Sequence, residues 1–319
     1  MNILVTGGMG ILGSSLLKLL SKKYSKKNIY FLKRNKNKKR KHPLKIDKFN
    51  SINGNFNNYN EVFKILKTKN IKVVFHLGAV TQVIDAYKSP ISTFNTNIKG
   101  TINICEAIRK INKEILFIYS SSDKAYGSMT KKEYLEDDRL HGDFPYDVSK
   151  SASDLIVQSY SKTYKLKVGI IRSGNIFGPG DFNLDRLVPG VIVNSIKNKK
   201  TYLRSNGKLS RDYVYVDDVA KAYVLLLEKM KKDNKKLFIY NIGSKTNLTV
   251  LGMINQILSV LNKKELKPII LNNSRIEIKE QKLNYLKARK ELKWNCKNNF
   301  KTDLKKTVNW YKKNLSFFK

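Results

Sequence analysis

The chain has 319 residues, 41% of them hydrophobic and 10% aromatic, enough to bury a sizeable core and too apolar for wholesale disorder. No apolar run reaches the roughly 18 residues that a membrane-spanning helix needs. Lys and Arg total 63 against 25 Asp and Glu, a formal net charge of +38 that invites a nucleic-acid reading. Composition opposes that reading: only ten of the cations are Arg, and the lysines are spread along the whole chain, whereas sequence-reading surfaces lean on arginine forks. A background bias toward Lys and Asn is the better account. The charge still favours anionic ligands, nucleotide diphosphates among them.

The N-terminus enters a strand at once, without a basic n-region or a cleavage site, so no secretory signal is expected. Cys105 and Cys296 stand far apart and offer neither a disulfide framework nor a CxxC zinc site. A reducing compartment, the cytoplasm, is the expectation.

In chain order, an apolar strand Ile3–Val5 leads through a glycine-rich turn into a helix over Ile11–Leu20. A second strand covers Ile29–Leu32, and a polar, Asn/Lys-rich stretch covers 33–60, with Lys36–Lys41 read as a solvated loop. A short helix is predicted over Tyr59–Lys67, a strand over Lys72–Leu77, a long helix over about Pro90–Lys110 and a strand over Ile115–Tyr119. A helix over Tyr146–Tyr164 and a strand over Val168–Ile171 continue the alternation. Beyond about residue 175 the pattern loosens, with helices expected over Val188–Lys197, Val216–Lys231, Val250–Leu261 and Thr302–Leu315, and a short strand at Leu237–Tyr240. Strand–helix alternation of this kind predicts an α/β fold, a Rossmann-like doubly wound parallel sheet with helices on both faces. The division expected is a dinucleotide-binding domain over 1–175 and, over 176–319, a smaller C-terminal substrate-binding lobe with excursions back to the sheet.

The first turn contains Gly7-x-x-Gly10-x-x-Gly13, directly after a strand and opening a helix. Glycine lets backbone approach a pyrophosphate, and a helix N-terminus offers N–H groups and partial positive charge. The second strand ends in Lys33-Arg34 rather than in an acid that would bind a ribose hydroxyl. A cation pair suits a 2′-phosphate, although Lys is common throughout this chain, and NAD against NADP stays open.

Tyr146-Asp147-Val148-Ser149-Lys150 has Tyr-x-x-x-Lys spacing at a helix start, which puts phenol and amine on one face. An ammonium beside a phenol favours the phenolate, a general base near neutral pH. Ser122, Asp123 and Lys124 stand at the C-terminal end of the strand over Ile115–Tyr119, where open α/β sheets bind ligands. Ser122 could bond a substrate hydroxyl and Asp123 with Lys124 could form an acid/base pair. A Ser/Asp turn capping a strand would use the same residues.

With these motifs the chain resembles the extended short-chain dehydrogenase/reductase family, in its NAD-dependent epimerase/dehydratase branch. The resemblance extends through His76-Leu77-Gly78-Ala79, Ser89-Pro90 to Gly100-Thr101, Arg172-Ser173-Gly174-Asn175 to Gly180-Asp181, Arg211-Asp212-Tyr213-Val214-Tyr215 and the tail around Trp294 and Trp310-Tyr311. The Ser-Asp-Lys triplet is most similar to that of CDP-glucose 4,6-dehydratases, nucleotide-sugar enzymes and hydro-lyases.

The resemblance implies that Tyr146 removes the C4 hydroxyl proton while Lys150 holds the ribose and lowers the Tyr146 pKa. Ser122 would bridge to the sugar oxygen, Lys124 take the C5 proton and Asp123 protonate the leaving C6 hydroxyl, giving a 4-keto-6-deoxy sugar. A tightly bound NAD or NADP, recycled within the reaction, would contact Gly7, Gly10, Ile11, Leu12, Gly13, Lys33, Arg34, Asn55, Phe56, Leu77, Gly78 and Ala79 as well as Tyr146 and Lys150, with Asn97 buttressing the nicotinamide side of this cofactor site. Thr81, Asn175, Val188 and Arg211 would contact the nucleotide-diphosphate sugar, Arg211 on the diphosphate, unless it serves only as a local partner for Asp212. A homodimer is implied through the helices holding residues 90–110 and 146–164. A 4-epimerase or 4-ketoreductase on the same fold is the alternative. His42 and His141 read as loop residues without a third ligand, so no metal is expected. Trp294, Trp310 and Tyr311 read as C-terminal core.

Overall fold

The computed structural model describes residues 1–34, 43–128, 131–273, 278–296 and 299–318. The Lys36–Lys41 run and His42 lie outside the described residues. The strands are β1 (Asn2–Thr6), β2 (Ile29–Lys33), β3 (Asn50–Asn53), β4 (Ile71–His76), β5 (Leu116–Ser122), β6 (Val168–Ser173), β7 (Asn175–Phe177), β8 (Tyr202–Leu203), β9 (Ser210–Tyr215), β10 (Leu237–Ile242), β11 (Asn247–Thr249) and β12 (Ile269–Ile270). The helices are α1 (Ile11–Leu20), α2 (Tyr59–Thr68), α3 (Val83–Lys88), α4 (Pro90–Phe94), α5 (Gly100–Ile111), α6 (Pro145–Tyr164), α7 (Leu187–Ile196), α8 (Val216–Lys232), α9 (Val250–Leu261), α10 (Leu286–Glu291) and α11 (Phe300–Lys313). Among the described residues no helix is long and apolar enough to cross a membrane.

Seven of the described strands form one sheet in the order β3-β2-β1-β4-β5-β6-β10, every neighbouring pair parallel. Parallel strands covered on both faces read as continuous apolar runs, and here alternate residues feed opposite cores. Ile3, Val5, Val73 and Phe75 point into the cluster with Leu16 and Leu17 of α1 and Val219, Tyr223 and Leu226 of α8. Leu4, Val74 and Phe117 point the other way, onto Leu66 of α2, Ile104 and Ile108 of α5 and Val157 of α6. Each such fully buried side chain contributes roughly 1.5–3 kcal/mol of transfer free energy. The strand order reverses between β1 and β4, and the crevice beyond those strand ends is where this architecture holds its ligands.

Three sequence expectations shift. The polar stretch 33–60 contains β3, whose Asn50, Ser51 and Asn53 lack strand character; an edge strand needs only the ladder offered by β2, and polar side chains suit an exposed edge. The strand predicted over Ile115–Tyr119 runs on through Ser122, because Ser120, Ser121 and Ser122 pair with Ile171, Arg172 and Ser173 of β6. The helix predicted over Pro90–Lys110 is broken by a π turn at Asn95–Lys99. That turn releases the Asn97 carbonyl, which accepts from Thr101 Oγ1 at 2.6 Å and from Ser153 Oγ at 2.9 Å.

Past β6 the chain leaves the sheet through β7 and α7, re-covers it with α8, and returns as β10, paired with β6 along its whole length. Strand β9 is flanked by β11 and β7 in a separate sheet, and α7, α9 and α11 pack together beyond it. Trp294 and Tyr311 are buried there as expected; Trp294 donates from its ring N–H to the Asp218 carbonyl at 2.8 Å.

Candidate active site

The turn after β1 is built from backbone. Gly7 has φ +68°, and Gly10 donates its N–H to the Gly7 carbonyl at 3.0 Å. A Cβ on Gly13 would sit 2.2 Å from that carbonyl oxygen, so α1 closes on the turn only with glycine there. Helix α1 has no side-chain cap at Gly10 and no acid in its first turn. Its N–H groups therefore face the crevice with partial positive charge and no competing anion of their own. This donor set fits a dinucleotide pyrophosphate.

The opposite wall of the turn is latched. Gly78 donates its N–H to Thr6 Oγ1 at 3.0 Å, and that hydroxyl lies 2.7 Å from His76 Nδ1. Having accepted from Gly78, the hydroxyl donates to His76. Burial, with Lys150 nearby, pushes the imidazole down to about 3, so the ring is neutral at physiological pH and accepts at Nδ1. His76 was not among the sequence-derived site residues. Its signal was the threonine and histidine ending two apolar strands that become neighbours.

The crevice is a cleft of about 1380 Å³. Single-ligand pockets run to roughly 300–1,000 Å³, so this one has room for two ligands end to end. Its lining includes Gly7, Gly10, Ile11, Leu12, Gly13, Lys33, Arg34, Phe56, Leu77, Gly78 and Ala79, together with Ser122, Asp123, Lys124, Tyr146, Lys150, Thr81, Asn175, Val188 and Arg211. Asn55 and Asn97 are not on the wall. Asn97 is buried behind it, accepting from the Val80 N–H at 2.8 Å and donating to the Val80 carbonyl at 3.0 Å and to Ser149 Oγ at 2.8 Å. It braces the strand exit from behind the wall. Asn55 turns its side chain onto the Asn57 N–H at 3.0 Å, while its own N–H donates to Glu61.

Tyr146 and Lys150 occupy the first turns of α6, which begins at Pro145 where a missing N–H costs nothing. Lys150 donates from Nζ to the Ser120 carbonyl at 2.8 Å and sits 5.2 Å from the Tyr119 ring centroid. Burial pushes its amine down to about 8, against the pull of the Asp154 carboxylate. The Tyr146 phenol is pushed up to about 12 by burial, with Ser122 and the Arg186 cation acting against that rise. Desolvation is the largest influence on this phenol, and the Arg186 cation opposes it.

Ser122 donates from Oγ to Asp123 Oδ1 at 3.0 Å and accepts from the Lys124 N–H at 3.2 Å. Asp123 is buried, and burial raises its carboxyl against the pull of Lys124, Ser122 and Arg211. Its second oxygen is buried without a partner. Lys124 reaches the other way and donates from Nζ to Gln281 Oε1 at 2.8 Å. Asp147 is pushed up to about 6 by burial, and Lys124 opposes that shift. An acid biased toward its protonated form thus stands beside an amine on one wall with a phenol.

On the far side, Arg211 and Tyr213 share the cleft-facing side of β9, as residues two apart on a strand must. Asp212 points away, its Oδ1 accepting from the Ser244 N–H and hydroxyl, each at 2.8 Å. Arg186, missed in the sequence, donates to Asp181 at 3.0 Å and to Thr81 at 2.7 Å, spanning the cleft mouth. Gln281 and Arg204 were missed as well. The scarcity of Arg in so Lys-rich a chain was the available signal for the two arginines; Gln281 carried none.

Residues 3–243 match the NAD dependent epimerase/dehydratase family, and the chain belongs to it. It is an enzyme of that family, with a sheet order, glycine turn and Tyr/Lys helix of that kind. It is 30% identical over 286 residues to the dTDP-D-glucose 4,6-dehydratase of Dictyostelium discoideum, a match covering 81% of this chain and 62% of that one. Among solved structures, the dTDP-glucose 4,6-dehydratase of Bacillus anthracis in complex with NAD is 26% identical with a TM-score of 0.86, covering 99% of this chain and 98% of that one. The UDP-glucose 4-epimerase of Thermotoga maritima with UDP-glucose is also 26% identical, with a TM-score of 0.87, covering 99% and 100%.

Proposed function

We propose that the chain is a nucleotide-sugar 4,6-dehydratase, a hydro-lyase that forms a 4-keto-6-deoxy sugar nucleotide. The observation that carries this reading is the pair Asp123 and Lys124 beside Tyr146: oxidation at C4 alone needs no second acid and base, and elimination needs both. A bound nicotinamide would supply reversible oxidation and reduction of the sugar carbons.

Tyr146 takes the C4 hydroxyl proton as that carbon is oxidised, with Ser122 bonded to the same oxygen. The C4 ketone acidifies the C5 proton, and the Lys124 amine removes it. Asp123, whose carboxyl burial shifts toward the protonated form, gives its proton to the C6 hydroxyl, which leaves as water. The Lys124 ammonium then returns a proton to C5 as C6 is reduced. Arg211 presents a guanidinium fork to the diphosphate, and Asn175, Val188 and Thr81 flank the sugar nucleotide. In this reading residues 1–175 hold the dinucleotide and 176–319 mainly the nucleotide sugar.

NAD is the cofactor proposed, as in the Bacillus anthracis relative. Lys33 and Arg34 on the cleft wall favour NADP as a second reading, and native mass spectrometry of the purified protein separates the two by mass. A homodimer is proposed through α4, α5 and α6, where Ile91, Ile102, Val148 and Leu155 are exposed apolar residues.

Turnover of dTDP-, UDP-, CDP- and GDP-glucose followed by product mass tests the activity. Loss of one water supports a dehydratase, and an isobaric product indicates an epimerase. Asp123→Asn is expected to stop water loss while C4 oxidation stays detectable; unchanged dehydration in that variant refutes the role of Asp123.

A further inference from the structure

We propose that Gln281 is a positioning residue that aims the Lys124 amine at the sugar. Its catalytic consequence rests on the dehydratase reading; the contact itself does not.

Gln281 is fully buried and stands 157 positions from the lysine it meets. The amide orientation is fixed by chemistry: an ammonium only donates, so the carbonyl oxygen must face Lys124. The backbone around it is held on both sides. Its N–H donates to the Ser210 carbonyl at 3.3 Å, and its own carbonyl accepts from Asn247 Nδ2 at 3.1 Å. Glu280 bridges to Ser210 and Leu283 to Tyr134. A long, mobile side chain is thus tethered to an acceptor that cannot follow it.

Two further facts favour a role in the reaction over one in stability. The Gln281 Nε2 is buried with no partner, and an orphaned buried donor is destabilising in a way that a leucine of similar volume would not be. The acceptor is also neutral. A carboxylate there would favour Lys124 as an ammonium, whereas an amide directs the nitrogen without adding a charge of its own. Among the described residues, Lys124 acts on Asp123 on its own turn and on Asp147 of α6, and Arg211 and Asp212 on β9 interact with Asp123.

The test compares wild type with Gln281→Glu and Gln281→Leu. Lys124 is titrated directly, from the pH dependence of its acetylation by acetic anhydride read by peptide mass spectrometry, which needs no substrate. Dehydration is measured across pH in parallel. Gln281→Glu is expected to move the Lys124 midpoint upward by about one unit and to lower kcat about tenfold near neutral pH, with recovery at higher pH and little change in KM. Gln281→Leu is expected to lower kcat at an undiminished melting temperature. An unmoved Lys124 midpoint with unaltered kcat in Gln281→Glu overturns the inference. A moved midpoint in an enzyme that dehydrates no nucleotide sugar leaves Gln281 as the tether of Lys124 and overturns the dehydratase reading instead.

Discussion

Lys150 Nζ reaches the Ser120 carbonyl at 2.8 Å, so the first turns of α6 are pinned to the end of β5 by a side chain that also lines the cleft. Helix and strand end are thereby fixed relative to one another where Tyr146 and Ser122 line the cleft. Lys150→Met keeps length and apolar bulk and removes the donor. Turnover is expected to fall by about 100-fold or more, the range lost with an acid–base assembly. Product formation per mole of enzyme checks this, with circular dichroism showing a retained fold.

Gly13→Ala places a methyl group 2.2 Å from the Gly7 carbonyl oxygen, and the backbone there cannot step aside. Overpacking of this kind costs about 1–3 kcal/mol. Because the strained turn is also the proposed pyrophosphate site, dinucleotide affinity is expected to fall with stability. Calorimetric titration with NAD and NADP and a melting curve read the two effects separately.

Arg172 is buried and forks onto Asp154 at 2.9 and 3.0 Å, while its Nη1 donates to Tyr126 Oη at 2.9 Å and to the Glu136 carbonyl at 2.8 Å. Tyr126 ends the turn that carries Asp123 and Lys124. Arg172→Met leaves the Asp154 carboxylate buried and unpaired, a change that costs about 3–5 kcal/mol. Urea denaturation is expected to show a midpoint well below wild type. Arg172→Met with Asp154→Leu, which removes both charges, is expected to recover a large part of the loss.

Asp212 is raised from 3.8 to about 7, chiefly by burial. Between those values the folded chain binds a proton that the unfolded chain has released, so stability is greater below this window and falls as pH rises through it. Wild type is expected to be less stable at about pH 8 than at about pH 5, by on the order of 1–3 kcal/mol from this group. Asp212→Asn is expected to flatten that difference, and melting curves at the two pH values decide it. An equal slope in the variant refutes the assignment.

Much of the architecture was legible because its signals are local. The run Ile3–Val5, the glycine spacing and the apolar periods of α1, α8 and α9 each specify an element without reference to the rest of the chain. Strand β3 was not legible, since nothing in Asn50–Asn53 favours a strand until β2 offers a ladder. The π turn at Asn95–Lys99 was hidden in a good helical period for the same kind of reason: its benefit is paid out at Val80 and Ser149, far away in sequence. Asn97, expected to buttress the nicotinamide side, lies buried behind the wall.

By itself the sequence determined the element order, the phosphate turn and the i, i+4 pairing of Tyr146 with Lys150, because each depends on residues within a few positions of one another. Tertiary structure alone decided the charge states and partners. Whether a phenol titrates near 10 or is pushed up to about 12, which way the Asp123 carboxyl shifts, and which atom faces Lys124 all depend on how much water is excluded and on groups such as Arg186 and Gln281 that arrive from distant parts of the chain. Desolvation and long-range contact are properties of the packed molecule, and no spacing along the chain encodes them.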